Sequence, residues 1–177
     1  DANRASDVIA RIRSFLRRGD LQPTAVDVEP VIAEVLGLVQ ADSRAQGVLM
    51  RHEPARGLPA VRVDRVQLQQ VLLNLVVNAL EAMAPLSDGP RTLAIGTHHE
   101  PQYDAVRVHV RDSGIGIDPG DRDALFDAFH TTKPGGMGMG LAISRSIIES
   151  HGGRLWFTRN DERGATFHFT LPVAQPG

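Results

Sequence analysis

The chain has 177 residues, 42% of them hydrophobic and none of them cysteine, with a formal net charge of −2. That length and apolar content suit one domain with a real core. The missing cysteine excludes disulfides and thiolate metal sites, and the charge balance gives no footing for nucleic acid or an anionic membrane.

Residues 3–18 (NRASDVIARIRSFLRR) place Val8, Ile9, Ile12, Phe15 and Leu16 on one stripe and arginines opposite, the pattern of an amphipathic helix that stops at Gly19. A second helix is expected over 27–45, with Pro30 in its first turn and Val31, Val35, Leu36, Leu38 and Val39 on its apolar side. Short strands follow at 48–52 and 61–63. A long helix is expected over 64–83, opened by Asp64 and Gln67 as a capping box, with Val66, Val71, Leu72, Leu75, Val76 and Leu80 facing the core. Residues 92–98 and 105–112 alternate apolar and polar side chains as strands do. A glycine-bearing turn comes next, then a short helix over 121–128. Residues 130–138 carry glycines and a proline without apolar periodicity, which reads as a mobile loop. A helix is expected over 139–151, stopped by Gly152 and Gly153. The segments 154–158 and 165–171 close as a hairpin around 160–164. The expected fold is α+β: a two-layer sandwich with a mixed sheet and helices on one face. No apolar run approaches the ~20 residues of a membrane span, no signal peptide opens the chain, and a cytoplasmic setting is expected.

Four clusters carry chemistry. In QQVLLNLVVNALEAM, Asn74 and Asn78 are four residues apart on one helix face, with Glu81 a turn on. A side-chain amide oxygen is a hard neutral ligand suited to Mg²⁺, although two asparagines alone are more often solvated or capping. In DSGIGID, Asp112 offers an acceptor for an exocyclic amine, and Gly114 and Gly116 allow a tight turn; an ordinary turn is the plainer reading. In GGMGMGLAISR, Gly136, Gly138 and Gly140 precede a helix, where exposed amides form an anion site. No Gly-Lys-Ser/Thr follows, so this is not a P-loop. In LFDAFHTTK, Phe126 and Phe129 read as core, and Thr131, Thr132 and Lys133 stand at the mouth of the glycine segment.

Taken in chain order over 69–145, the four clusters resemble the catalytic ATP-binding domain of sensor histidine kinases, in the superfamily of gyrase, the mismatch-repair ATPases and the heat-shock chaperone ATPase. The match is to the asparagine box (NLVVNALEAM), the first glycine box (DSGIGID), the phenylalanine box (LFDAFHTTK) and the second glycine box (GGMGMGL). The tail ISRSIIESHGGRLW is similar to the nitrogen-regulation and oxygen-sensing subgroup. The resemblance implies the Bergerat type of α/β sandwich, with ATP and Mg²⁺ as cofactors. It implies Asn78 as metal ligand with Asn74 beside it, and Asp112, Gly114 and Gly116 as the adenine pocket. Thr132, Lys133, Gly136, Gly138, Gly140 and Leu141 are implied around the phosphates, under a lid over 130–138 anchored by Phe126 and Phe129. The hydrolysing members carry Glu where Asn74 stands; an amide is no general base, so ATP is expected to be held rather than quickly hydrolysed.

Of the seven histidines, His52 is followed by Glu53, but in a predicted strand rather than a helix, so the acceptor histidine is expected upstream. Residues 1–20 then read as the end of a dimerisation and phosphoacceptor hairpin, and 21–177 as the catalytic domain. The implied partners are that hairpin and a response-regulator receiver. This piece is expected to be monomeric and its parent a homodimer, with or without a membrane anchor. Two other readings stay open: a clamp-type ATPase of the same superfamily, and a degenerate nucleotide-binding module that only docks partners.

Overall fold

The computed structural model of the chain describes residues 22–121, 124–127 and 140–175. The segment 1–20, the loop 130–138 and the residues Phe129, Thr132, Lys133, Gly136 and Gly138 lie outside the described residues. Strand β1 (Thr24–Val26) leads into helix α1 (Val28–Ala45), followed by β2 (Leu49–Glu53), β3 (Val61–Val63) and helix α2 (Arg65–Met83). The long strands β4 (Thr92–Glu100) and β5 (Ala105–Asp112) come next, then helix α3 (Gly140–Ser150), β6 (Leu155–Arg159) and β7 (Ala165–Pro172).

Five strands form one sheet in the order β2-β4-β5-β7-β6. The pair β2–β4 is parallel and the others are antiparallel, so the sheet is mixed. The short β1–β3 ribbon forms a second sheet, joined to the end of β7 by the bridge between Val61 and Val173. Alternation decides which face is covered. Val106, Val108 and Val110 of β5 and Phe167, Phe169 and Leu171 of β7 are buried against the core residues of the three helices, including Ile32, Leu72, Leu75 and Ile147.

Several sequence expectations need correction. Strand β1 escapes notice because three residues are too few to show a period. Val66 and Leu38 do not face the core; they are 65% and 73% exposed, because α2 and α1 each bury a stripe narrower than their apolar content. The helix expected over 121–128 is, among the described residues, a 3-10 turn at Pro119–Asp121 followed by turns at 124–126. The capping box at the start of α2 is half formed. Asp64 accepts from the Gln67 amide at 3.1 Å, whereas the Asp64 amide donates to His151 Nε2 at 3.2 Å instead of to Gln67.

The face of the sheet turned away from the helices carries a row of rings. His98 stacks on His109 and Trp156 on His168, each pair with centroids 5.1 Å apart. Arg107 Nη1 lies 3.0 Å from His168 Nδ1, so Nδ1 accepts, and Nε2 donates to Thr158 Oγ1 at 2.9 Å. This arrangement needs neutral imidazole. Burial, and then the Arg107 guanidinium, push the His168 pKa down to about 4. The unfolded chain, with its His near 6.5, therefore takes up the proton first as pH falls. The stabilisation is complete above about pH 6.5 and is lost on acidification towards about 4. His168→Gln keeps a donor and an acceptor without titrating. Between pH 7.5 and pH 5 the wild type is expected to lose about 1 kcal/mol more stability in urea than this variant, a figure halved for solvent screening. Equal losses would remove His168 from the acid response.

Candidate nucleotide site

Helix α2 forms because residues 65–83 hold no Gly or Pro and place apolar side chains at helical spacing. Its interruption is Asn74, which is 4% exposed in an otherwise apolar stretch. A buried amide needs partners, and α3 supplies them. Asn74 Nδ2 donates to Ser144 Oγ at 3.0 Å and to the Gly140 carbonyl at 3.3 Å. Asn74 Oδ1 accepts from Gln70 Nε2 at 2.9 Å. Asn74 thus fastens the first turn of α3, where the glycine segment enters.

One turn along the same face sits the half-buried Asn78, and one further turn along is Ala82. The Ala82 carbonyl accepts from the Ile115 amide at 3.0 Å, docking the turn that follows β5 onto the helix. Gly114 makes that approach possible. A Cβ built there would lie 2.6 Å from the Ala82 oxygen and 2.8 Å from its Cβ, too close for any side chain. Two residues on, Gly116 has φ 79°.

Asp112 ends β5 with its side chain on the buried face, 3% exposed. Its Oδ1 accepts from the Gly114 amide at 2.8 Å and, more weakly, from Ala165 at 3.4 Å. The carboxylate is thereby fixed at the floor of the turn. Phe126 packs edge-on to the core ring Phe167, with centroids 6.5 Å apart, and Arg145 of α3 lies 5.3 Å above it. Gly140 and Leu141 open α3 and are half-buried.

The structure therefore brings Asn74, Asn78, Asp112 and Gly114 onto one side of α2, while Gly116 faces Gly164 of the closing hairpin. The start of α3 stands at one end and the Asp112 turn at the other, eight residues or about 12 Å apart along the helix. Among the described residues no group of three His, Asp or Glu converges on a metal position. No described helix is long and apolar enough to cross a membrane. Sequence reasoning missed Ser144, Asn160, Arg163 and Gly164. The last three lie in a segment read only as a hairpin turn, and nothing local marks them as neighbours of Asp112.

The family model described as "Histidine kinase-, DNA gyrase B-, and HSP90-like ATPase" matches residues 63–175, which span α2, the Asp112 turn, α3 and the closing hairpin. The chain belongs to this family. Sensor protein FixL of Bradyrhizobium diazoefficiens is 44% identical over 173 residues, covering 98% of this chain and 34% of that protein. Sensor histidine kinase ZraS of Escherichia coli is 34% identical, covering 98% of this chain and 36% of that protein. The chain thus spans about a third of the length of these curated relatives. Among solved structures, the nucleotide-free catalytic domain of histidine kinase ThkA superposes with TM-score 0.75 at 35% identity, over 86% of this chain and 96% of that one. Full-length ShkA in complex with AMPPNP gives TM-score 0.82 at 26% identity, over 98% of this chain and 38% of that one. The two-layer sandwich is accordingly that of the histidine-kinase catalytic domains, and the chain is an ATP-binding catalytic domain of the sensor histidine kinase kind.

Proposed function

We propose that the domain holds Mg-ATP between α2, the Asp112 turn and the start of α3, and presents the γ-phosphoryl group to a histidine outside residues 21–177. The observation that carries this is the shared face of α2, which sets the Asp112 carboxylate and the α3 N-terminus at opposite ends of Asn78. Asp112 accepts a hydrogen bond from the exocyclic amine of adenine. Asn78 offers its amide oxygen to a Mg²⁺ held jointly with the phosphates. That donor chemistry suits a hard cation which keeps several waters, and the bound ion spreads phosphate charge as transfer proceeds. Asn74 steadies α3, and with its donors committed to Gly140 and Ser144 its closeness to the metal is the lesser part of its role. Residues 1–20 are the end of the phosphoacceptor hairpin in this reading. Lys133, Thr132, Phe129, Gly136 and Gly138 serve the phosphates and the lid.

Phosphoryl transfer is chiefly positioning and charge neutralisation. A site whose helix carries Asn74 in place of a carboxylate base lets the incoming histidine supply the nucleophile. A response regulator is the natural recipient of the phosphoryl group; the relative ThkA has been solved in complex with response regulator protein TrrA. In this reading the parent is a homodimer that holds this domain in the cytoplasm, with or without a membrane anchor.

Asn78→Ala tests the metal assignment. Titrated with a non-hydrolysable ATP analogue, the wild type is expected to bind at least tenfold tighter with Mg²⁺ than without, and the variant to lose that difference. A variant that keeps the full Mg²⁺ dependence would take Asn78 out of the metal site.

A further inference from the structure

The β6–β7 hairpin returns along the sheet and brings its tip, residues 160–164, against the back of the Asp112 turn. Three observations converge there. Asn160 Nδ2 donates to the Asp112 carbonyl at 2.7 Å and to the Arg163 carbonyl at 3.0 Å, while its Oδ1 accepts from Thr166 Oγ1 at 2.6 Å. Arg163 Nε donates to the Ser113 carbonyl at 3.0 Å, and its Nη2 reaches the Asp88 and Pro90 carbonyls, both at 3.3 Å. Gly164 has φ 96°, and a Cβ there would run into the Asp112 carbonyl group. The two consecutive carbonyls that aim the Asp112 side chain are therefore each gripped by a side chain from the hairpin tip. Arg163 ties the same turn to the loop between α2 and β4.

We infer that Asn160 and Arg163 are positioning residues for nucleotide recognition: by holding the Asp112 and Ser113 main chain from behind, they set where the Asp112 carboxylate meets the purine. This rests on the reading that Asp112 receives adenine. Neither side chain touches the ligand. Apart from the Thr166 hydroxyl on Asn160 and the Asp88 carboxylate 3.8 Å from Arg163, their contacts are with backbone oxygens of the turn and its neighbours, so their loss acts through Asp112. The inward turn of Asn160 also has a reason: its bonds use both amide hydrogens and an oxygen lone pair within the tip and the turn. A side chain serving only the hairpin would have no need to reach the Asp112 carbonyl.

The test is calorimetric titration of the whole chain with non-hydrolysable ATP and GTP analogues in Mg²⁺, for wild type, Asn160→Ala, Arg163→Ala, Arg163→Lys and Asp112→Asn. Thermal unfolding of each protein is recorded alongside. Asn160→Ala and Arg163→Ala are expected to weaken ATP binding about tenfold, because the Asp112 carboxylate is no longer held where it meets the purine. They should narrow the ATP-over-GTP preference, while the lost bonds lower the melting temperature by only a few degrees. Arg163→Lys keeps the charge but not the fork and should behave like the alanine. The Arg163 side chain is half-buried, at 35% exposure, so its variants keep the question answerable if Asn160→Ala fails to fold. Equal weakening for both nucleotides together with a lowered melting temperature would overturn the inference, since a merely structural role does that. So would an affinity and a preference both within twofold of wild type while Asp112→Asn loses its preference. If the wild type shows no adenine preference, the adenine reading itself falls, and this inference with it.

Discussion

Asp112→Asn is expected to weaken binding of an ATP analogue about 100-fold while leaving the fold standing. The carboxylate is 3% exposed at the end of β5, and its Oδ1 already accepts from the Gly114 amide at 2.8 Å. An asparagine keeps an oxygen in that place, so the turn stays formed. What changes is the charge and the second oxygen, which becomes an NH₂ group. A donor then faces the exocyclic amine of adenine, itself a donor. A charge-assisted hydrogen bond in a dry site contributes about 1.5–3 kcal/mol, and leaving partners mismatched costs a comparable amount. About 2.7 kcal/mol corresponds to 100-fold. The readout is calorimetric affinity with melting temperature alongside. An affinity within threefold of wild type would remove Asp112 from the recognition site.

The second large effect belongs to Gly114→Ala. The added methyl would sit 2.6 Å from the Ala82 carbonyl oxygen and 2.7 Å from its carbon, both backbone atoms of α2 that have no rotamer to move to. Relief requires the turn to lift off the helix, breaking the 3.0 Å bond from the Ile115 amide to the Ala82 carbonyl. Overpacking of this kind costs about 2–3 kcal/mol. In a domain of this size that lowers the melting temperature by roughly 5–10 °C. The displacement also separates Asp112 from the Asn78 face, so ATP affinity should fall with stability. Gly120→Ala is the control, because a Cβ at Gly120 meets nothing within 4 Å. Equal melting temperatures for the two variants would mean that the turn does not press on α2 as described.

How much of this was written in the sequence depends on the range of the interaction that decides each feature. Helix α2 was legible to within a residue at its start, because Asp64 caps it locally through Gln67 and the apolar period is strong. The other half of that cap was not, since the group that takes the Asp64 amide is His151, 87 residues away. Asn74 and Asn78 were legible as a pair on one face. That Asn74 spends its donors on Ser144 and Gly140 was not, because nothing near residue 74 announces α3. Val66 and Leu38 were misplaced because period alone does not say how wide a stripe the neighbouring layer covers. The glycines of DSGIGID were legible as a turn. The specific need at Gly114 came from Ala82, and the brace behind Asp112 came from Asn160 and Arg163, all contacts between distant stretches of chain.

The measurement that bears most directly on the account is titration of the wild-type chain with a non-hydrolysable ATP analogue, with and without Mg²⁺, beside the matching GTP analogue. The account predicts saturable one-site binding that strengthens with Mg²⁺ and favours adenine. No binding under any of these conditions would contradict it, leaving the fold of a kinase catalytic domain without the nucleotide site proposed for it.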